Sequence, residues 1–239
     1  MAVDAPAARS AGIAWYSEER WRRFAPLTGV LAVILWILGV AVIESAAGAP
    51  PDDAPAAAFV GYYSESGERI LTGAFILMIG SALFLWFLGT LRARIRSLEG
   101  GGGRLASIVF ALGIVVAAMS MAMVAPEAGA GLATSQFDAR LEPATAQTFA
   151  FAGDGFFVAA EAATAIFFLA AGLAILRTRV LPVWLAWASI VLGIVALIPF
   201  LGWAAFVWGL PLWVLISSVL MFTRAESAEG GPETRPAGS

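Results

Sequence analysis

The chain has 239 residues, of which 60% are hydrophobic and 13% charged, and its formal net charge is -3. A water-soluble domain of this length cannot hide so much apolar surface, so composition places the chain among integral membrane proteins. Cys, His, Lys and Asn are all absent, which excludes disulfides, Cys/His metal sites, lysine Schiff bases, N-glycosylation and most nucleophile-and-base arrangements.

The first 23 residues form a cytoplasmic segment. Up to Ser10 it has little to bury and is expected to be disordered, whereas Trp15, Tyr16, Arg20, Trp21, Arg22 and Arg23 mix aromatic and basic side chains, as an interfacial lead-in helix does. Crossing about 30 Å of hydrocarbon takes about 20 apolar residues at about 1.5 Å each. Six runs meet that requirement, at 24–45, 70–91, 105–124, 156–176, 182–200 and 202–222, predicting an all-α bundle of six transmembrane helices within a domain spanning 24–222. Small residues follow the first run, but it is too long for a signal peptide, and Phe24 directly after Arg22-Arg23 does not fit twin-arginine spacing, so this helix is read as uncleaved.

Asp52-Asp53-Ala54-Pro55 and Glu142-Pro143 are helix-start signals in the two long outer loops. They predict short outer-surface helices ahead of spans two and four. The glycines at 100–103 lack a Gly-Lys-Ser/Thr ending and a preceding strand, so they read as a flexible turn rather than a phosphate cradle. Spans five and six form a tight hairpin around Pro199, Leu201 and Gly202. Pro211 predicts a kink in span six, and 223–239 a disordered cytoplasmic tail.

Charge sidedness sets the expected orientation. Arg9, Arg20, Arg22, Arg23, Arg92, Arg94, Arg96, Arg104, Arg177, Arg179, Arg224 and Arg235 fall on one side of a six-span chain, and only Arg69 and Arg140 on the other. Excess arginine marks the cytoplasmic face, so both termini are predicted inside, in a multi-pass protein of a bacterial inner (plasma) membrane.

Leu91-Arg92-Ala93-Arg94 and Leu112-Gly113-Ile114-Val115 parallel Leu176-Arg177-Thr178-Arg179 and Leu192-Gly193-Ile194-Val195. Either a tandem two-helix repeat or the shared composition of membrane helices accounts for this. Gly73 with Gly80, and Ala186 with Ser189 and Gly193, place small residues on helix faces, where they allow close packing. Trp184, Trp187 and Trp203 read as interfacial; the deeper Trp36, Trp86 and Trp213 read as packing residues.

Chemistry is sought among charges in or beside the apolar runs, each costing about 2.5–3.5 kcal/mol at the bilayer centre. Glu161 sits about two turns inside span four, with Asp154 and Glu44 toward the outside and Arg69 at the mouth of span two as a counter-ion. If these helices pack together, the carboxyls form an outward-facing pocket able to bind a small cation or carry protons. The competing reading makes Glu44 and Asp154 interfacial caps and gives Glu161 one interhelical hydrogen bond. No metal site and no cofactor are expected; the expected partners are the lipid bilayer, a small cation or hydrophobic ligand, and a membrane protein, with no nucleic acid.

Through Gly67-Glu68-Arg69-Ile70-Leu71, Leu88-Gly89-Thr90-Leu91-Arg92, Arg104-Leu105-Ala106, the run 177–199 and Pro211-Leu212-Trp213-Val214, the chain resembles a group of small bacterial polytopic membrane proteins classed as a domain of unknown function. The resemblance implies a six-helix architecture and carries no catalytic or binding residues with it. The leading expectation is a non-enzymatic membrane protein, a small transporter-like bundle or an interaction partner. The alternative is an intramembrane enzyme acting on a lipid or isoprenoid, with Glu161 and Asp154 as acid and base. An apolar, lipid-open cavity lined by Glu161 favours the enzyme, a polar water-filled path favours transport, and a closed bundle favours a structural role.

Overall fold

A computed structural model describes residues 24–45, 48–137 and 139–229, the last five of them by backbone alone. The whole N-terminal segment, 1–23, with its predicted lead-in helix, and residues 230–239 lie outside the described residues. Six helices carry the fold: α1 Leu27–Glu44, α2 Ala56–Glu99, α3 Arg104–Gln136, α4 Pro143–Thr178, α5 Val183–Ala196, and α6, which runs from Gly202–Ala204 through a π turn at Ala205–Gly209 into Leu210–Glu229. No strand occurs among the described residues. Five of the helices are long and apolar enough to cross a membrane, making this a multi-pass bundle. The 14 residues of α5 reach only about 21 Å, short of the predicted 182–200 run because the chain turns at 197–201.

Helices start at Pro55 and Pro143 as predicted, yet neither start belongs to a separate surface helix. With 44 residues, α2 is about 66 Å long, roughly twice the hydrocarbon thickness, and runs unbroken from the loop into the span. The reason is tertiary. Gly67 of α2 and Gly131 of α3 meet backbone to backbone: a Cβ on Gly67 would stand 3.0 Å from the Gly131 carbonyl oxygen. Phe59, Tyr63, Ile70, Ala130 and Ala146 form a small core around that approach. The first turns of α2 and α4 and the last of α3 thus project together as a three-helix extension, and α3 continues past the predicted span end at 124 in spite of Pro126.

Small residues seat the bundle where the sequence places them. Gly73 packs on Gly39 and Gly80 on Ala32 and Trp36, joining α1 to α2; Gly193 packs on Ala165 and Leu169, joining α5 to α4. Trp213 is 2% exposed, with its ring against Phe87, Phe167 and Phe168. Trp36 is partly buried and donates to the Ser81 hydroxyl at 3.2 Å. Trp86 is 57% exposed on the outer surface of the bundle, so it faces lipid rather than the core.

The expected kink near Pro211 takes the form of the π turn. Proline supplies no N–H to the Val207 carbonyl and its ring crowds that oxygen; the preceding turn widens, and the Leu210 N–H reaches back to Ala205. At the arginine-rich end, Arg94 and Arg224 donate to the carbonyls of Met221 and Val180, each at 2.8 Å. Burial and the neighbouring Arg224 charge lower the Arg94 pKa. Helix α6 continues to Glu229, into the region predicted to be a disordered tail.

Candidate functional site

Helix α4 carries both Glu161 and Asp154. Glu161 is half-buried, and its Oε2 would lie 3.4 Å from a Cβ placed on Gly202, the first residue of α6. The neighbour across this interface is thus a helix start, whose Gly202 and Ala204 N–H groups already donate to the Ile198 and Leu201 carbonyls, at 2.9 and 3.1 Å. Sixteen residues separate Glu161 from Arg177, about 24 Å along the helix, which puts it toward the far side of a hydrocarbon layer about 30 Å thick. Asp154, seven residues earlier, lies about 10 Å further from the arginine-rich end and is exposed.

Glu44 and Arg69 are both exposed. Arg69 donates to the Ser45 carbonyl at 2.9 Å, tying α2 to the end of α1. The residue that approaches Asp154 is Glu127 of α3. Its Oε1 would stand 3.8 Å from a Cβ on Gly153, the residue before Asp154. Tyr62 and Tyr63 of α2 share a small core with Ala130 of α3 and Ala150 of α4, each one turn from Glu127 or Asp154. The carboxylate group nearest the expected one is therefore Glu127 with Asp154, and Glu161 stands apart at α6. Among the described residues no three carboxylates are placed to hold a metal ion.

Glu127 does not stand out in the sequence because it lies beyond the predicted span end at 124 and just after Pro126. The helical spacing of buried Val116, Ser120 and Val124 continues to Gly131, and Glu127 falls on that stripe.

Beside this group lies a cavity of about 110 Å³. Trp36 and Val40 of α1 form one wall, Val207 and Leu210 of α6 another, and Leu77, Met123 and Phe157 the back. Its hydroxyls, Ser81 and Ser120, donate to the carbonyls of Leu77 and Val116 on their own helices, at 3.0 and 2.8 Å. None of the described residues lining it is titratable. Helix α1 packs on α6 beyond Leu210 but scarcely touches the π turn, so the two helices part beside the cavity.

No protein-family model, curated protein or solved structure matches the chain. Function is therefore argued from the site itself.

Proposed function

We propose that the chain is a non-enzymatic membrane-embedded binding or carrier bundle that receives a short segment of a hydrocarbon chain from the bilayer. The observation that carries this reading is the apolar cavity where α1 and the π turn of α6 part. Dry apolar cavities of similar size bind small hydrocarbons, and an opening between helices gives an acyl chain access without passing through water. The π turn and Pro211 shape the α6 wall, since a regular helix would turn Val207 and Leu210 to different positions.

The wall offers neither a water path nor a general acid or base. Glu161 and Asp154 lie outside it, which disfavours the intramembrane enzyme. The arginine asymmetry supports an orientation with the arginine-rich end and both termini in the cytoplasm, in a bacterial plasma membrane, and the resemblance to small bacterial polytopic proteins belongs to the same reading.

The test is photolabelling in nanodiscs with a diazirine-bearing fatty acyl probe, mapped by mass spectrometry. Labelling should concentrate at Trp36, Val40 and Val207 and be lost in Ser120→Leu, which fills the cavity. Even labelling over all lipid-facing surfaces, unchanged by that substitution, would overturn the proposal.

A further inference from the structure

The acidic group and the apolar cavity lie on the same two helices, one turn apart. Met123 of α3 and Phe157 of α4 are cavity wall. Glu127 is four residues beyond Met123, and Asp154 three before Phe157, so each carboxylate is on its neighbour's helix face, one turn toward the three-helix extension. Backbone contact holds this register: a Cβ on Gly153 would stand 2.8 Å from the Met123 carbonyl oxygen, so α3 and α4 meet without an intervening side chain.

A third group marks the same place. Tyr63 is fully buried, at 0% exposure, and its hydroxyl has no hydrogen-bond partner among the described residues. It sits in the small core with Ala130 of α3 and Ala150 of α4, which stand three residues from Glu127 and four from Asp154, one turn away in each helix. A buried hydroxyl left without a partner costs about 1–3 kcal/mol, so its position there points to a polar group that completes the site. Two carboxylates and a phenol oxygen suit a cation with N–H donors.

We propose that this is one continuous site for an alkylammonium amphiphile, whose ammonium group sits at Glu127 and Asp154 against the Tyr63 hydroxyl and whose first carbons fill the cavity, the rest of the chain leaving between α1 and α6. The proposal rests on the cavity reading above and adds the headgroup. The shared chemistry is a protonated amine on a hydrocarbon chain, supplied either by a free hydrophobic amine or by an aminophospholipid.

The experiment displaces the diazirine acyl probe in phosphatidylglycerol nanodiscs with dodecylamine or with dodecanol, which have equal chains and differ in the head. In the wild type, half-displacement by dodecylamine should need at least tenfold less compound than by dodecanol. That ratio should fall toward one in Glu127→Gln and in Asp154→Asn, with dodecanol unaffected, and should be reduced in Tyr63→Phe. Equal potency in the wild type, or a ratio untouched by both carboxylate substitutions, overturns the headgroup site and leaves the cavity standing. If neither compound displaces the probe, the cavity reading fails with it. Given the preference, exchanging phosphatidylglycerol for phosphatidylethanolamine separates the sources: competition supports a lipid headgroup, and its absence supports a free amine.

Discussion

The indole N–H of Trp213 donates to the Ser189 hydroxyl at 2.8 Å, and Ser189 donates in turn to the Leu185 carbonyl at 2.7 Å. This relay joins α5 and α6 where both residues are buried. Replacing Ser189 by Ala leaves the indole N–H buried without its acceptor, a loss of about 1–3 kcal/mol. Thr148→Ala removes an exposed hydroxyl that bonds only within its own helix and should change stability by no more than about 0.5 kcal/mol. Reversible unfolding in mixed micelles measures both; equal stabilities of the two variants would deny the relay its role.

Close approach of α1 and α2 makes a second prediction. A Cβ on Gly39 would stand 2.8 Å from the Gly73 carbonyl oxygen, and one on Gly73 2.7 Å from that of Gly39. Backbone cannot step aside as a flexible side chain can, so Gly39→Ala and Gly73→Ala should each cost about 1–3 kcal/mol through overpacking. At Gly89 a Cβ meets open space, and Gly89→Ala should be neutral or stabilise by up to about 1 kcal/mol, as expected for alanine in a helix interior. Thermal unfolding of the three variants decides; a destabilised Gly89→Ala alongside a neutral Gly39→Ala would reverse the argument.

These contacts show what the sequence reveals and what it leaves hidden. Gly73 and Gly80 could be placed on one helix face because helical spacing is local, and the arginines and prolines mark helix ends through equally local chemistry. Gly39, Gly67 and Gly131 become meaningful only when two helices meet. The same holds for the site. Asp154 and Glu161 stand out as charges near an apolar run, but which of them acquires a neighbour depends on α3 continuing through Pro126 and bringing Glu127 to Gly153. The cavity is invisible in the sequence because its wall is drawn from five helices and contains only residue types common throughout the bundle.

At the arginine-rich end, Glu99 of α2 accepts the Leu105 and Ala106 N–H groups, at 2.7 and 3.0 Å, and so caps α3 from the previous helix. Gly103, the N-cap, is left-handed and has no side chain to do this, while Gly100 and Gly101 also take positive φ to make the turn. These donors favour the ionised carboxylate and lower its pKa from the ordinary 4.5. A carboxyl depressed in the folded state contributes stability that is complete above the unfolded value and is lost as pH falls through the folded one. Wild type should therefore exceed Glu99→Gln in stability at pH 6, with the gap closing below about pH 4.5. Unfolding curves across pH 3–6 test this, and a gap that widens on acidification would contradict it.

Filling the cavity should separate stability from function. Ser120 lines it, is buried, and spends its hydroxyl on its own helix at Val116, so little hydrogen bonding between helices is lost when it is replaced. Leucine at this position adds apolar volume to a void next to Met123 and Phe157, and cavity filling of this kind typically adds about 0.5–2 kcal/mol. Ser120→Leu should thus unfold at higher temperature than wild type while losing acyl-probe labelling. The two effects have one cause, the same volume counted once as packing and once as binding space. A variant that gained stability yet kept full labelling would show that the chain binds elsewhere, and one that lost stability would show that Ser120 is packed too tightly for the void to serve as a binding chamber.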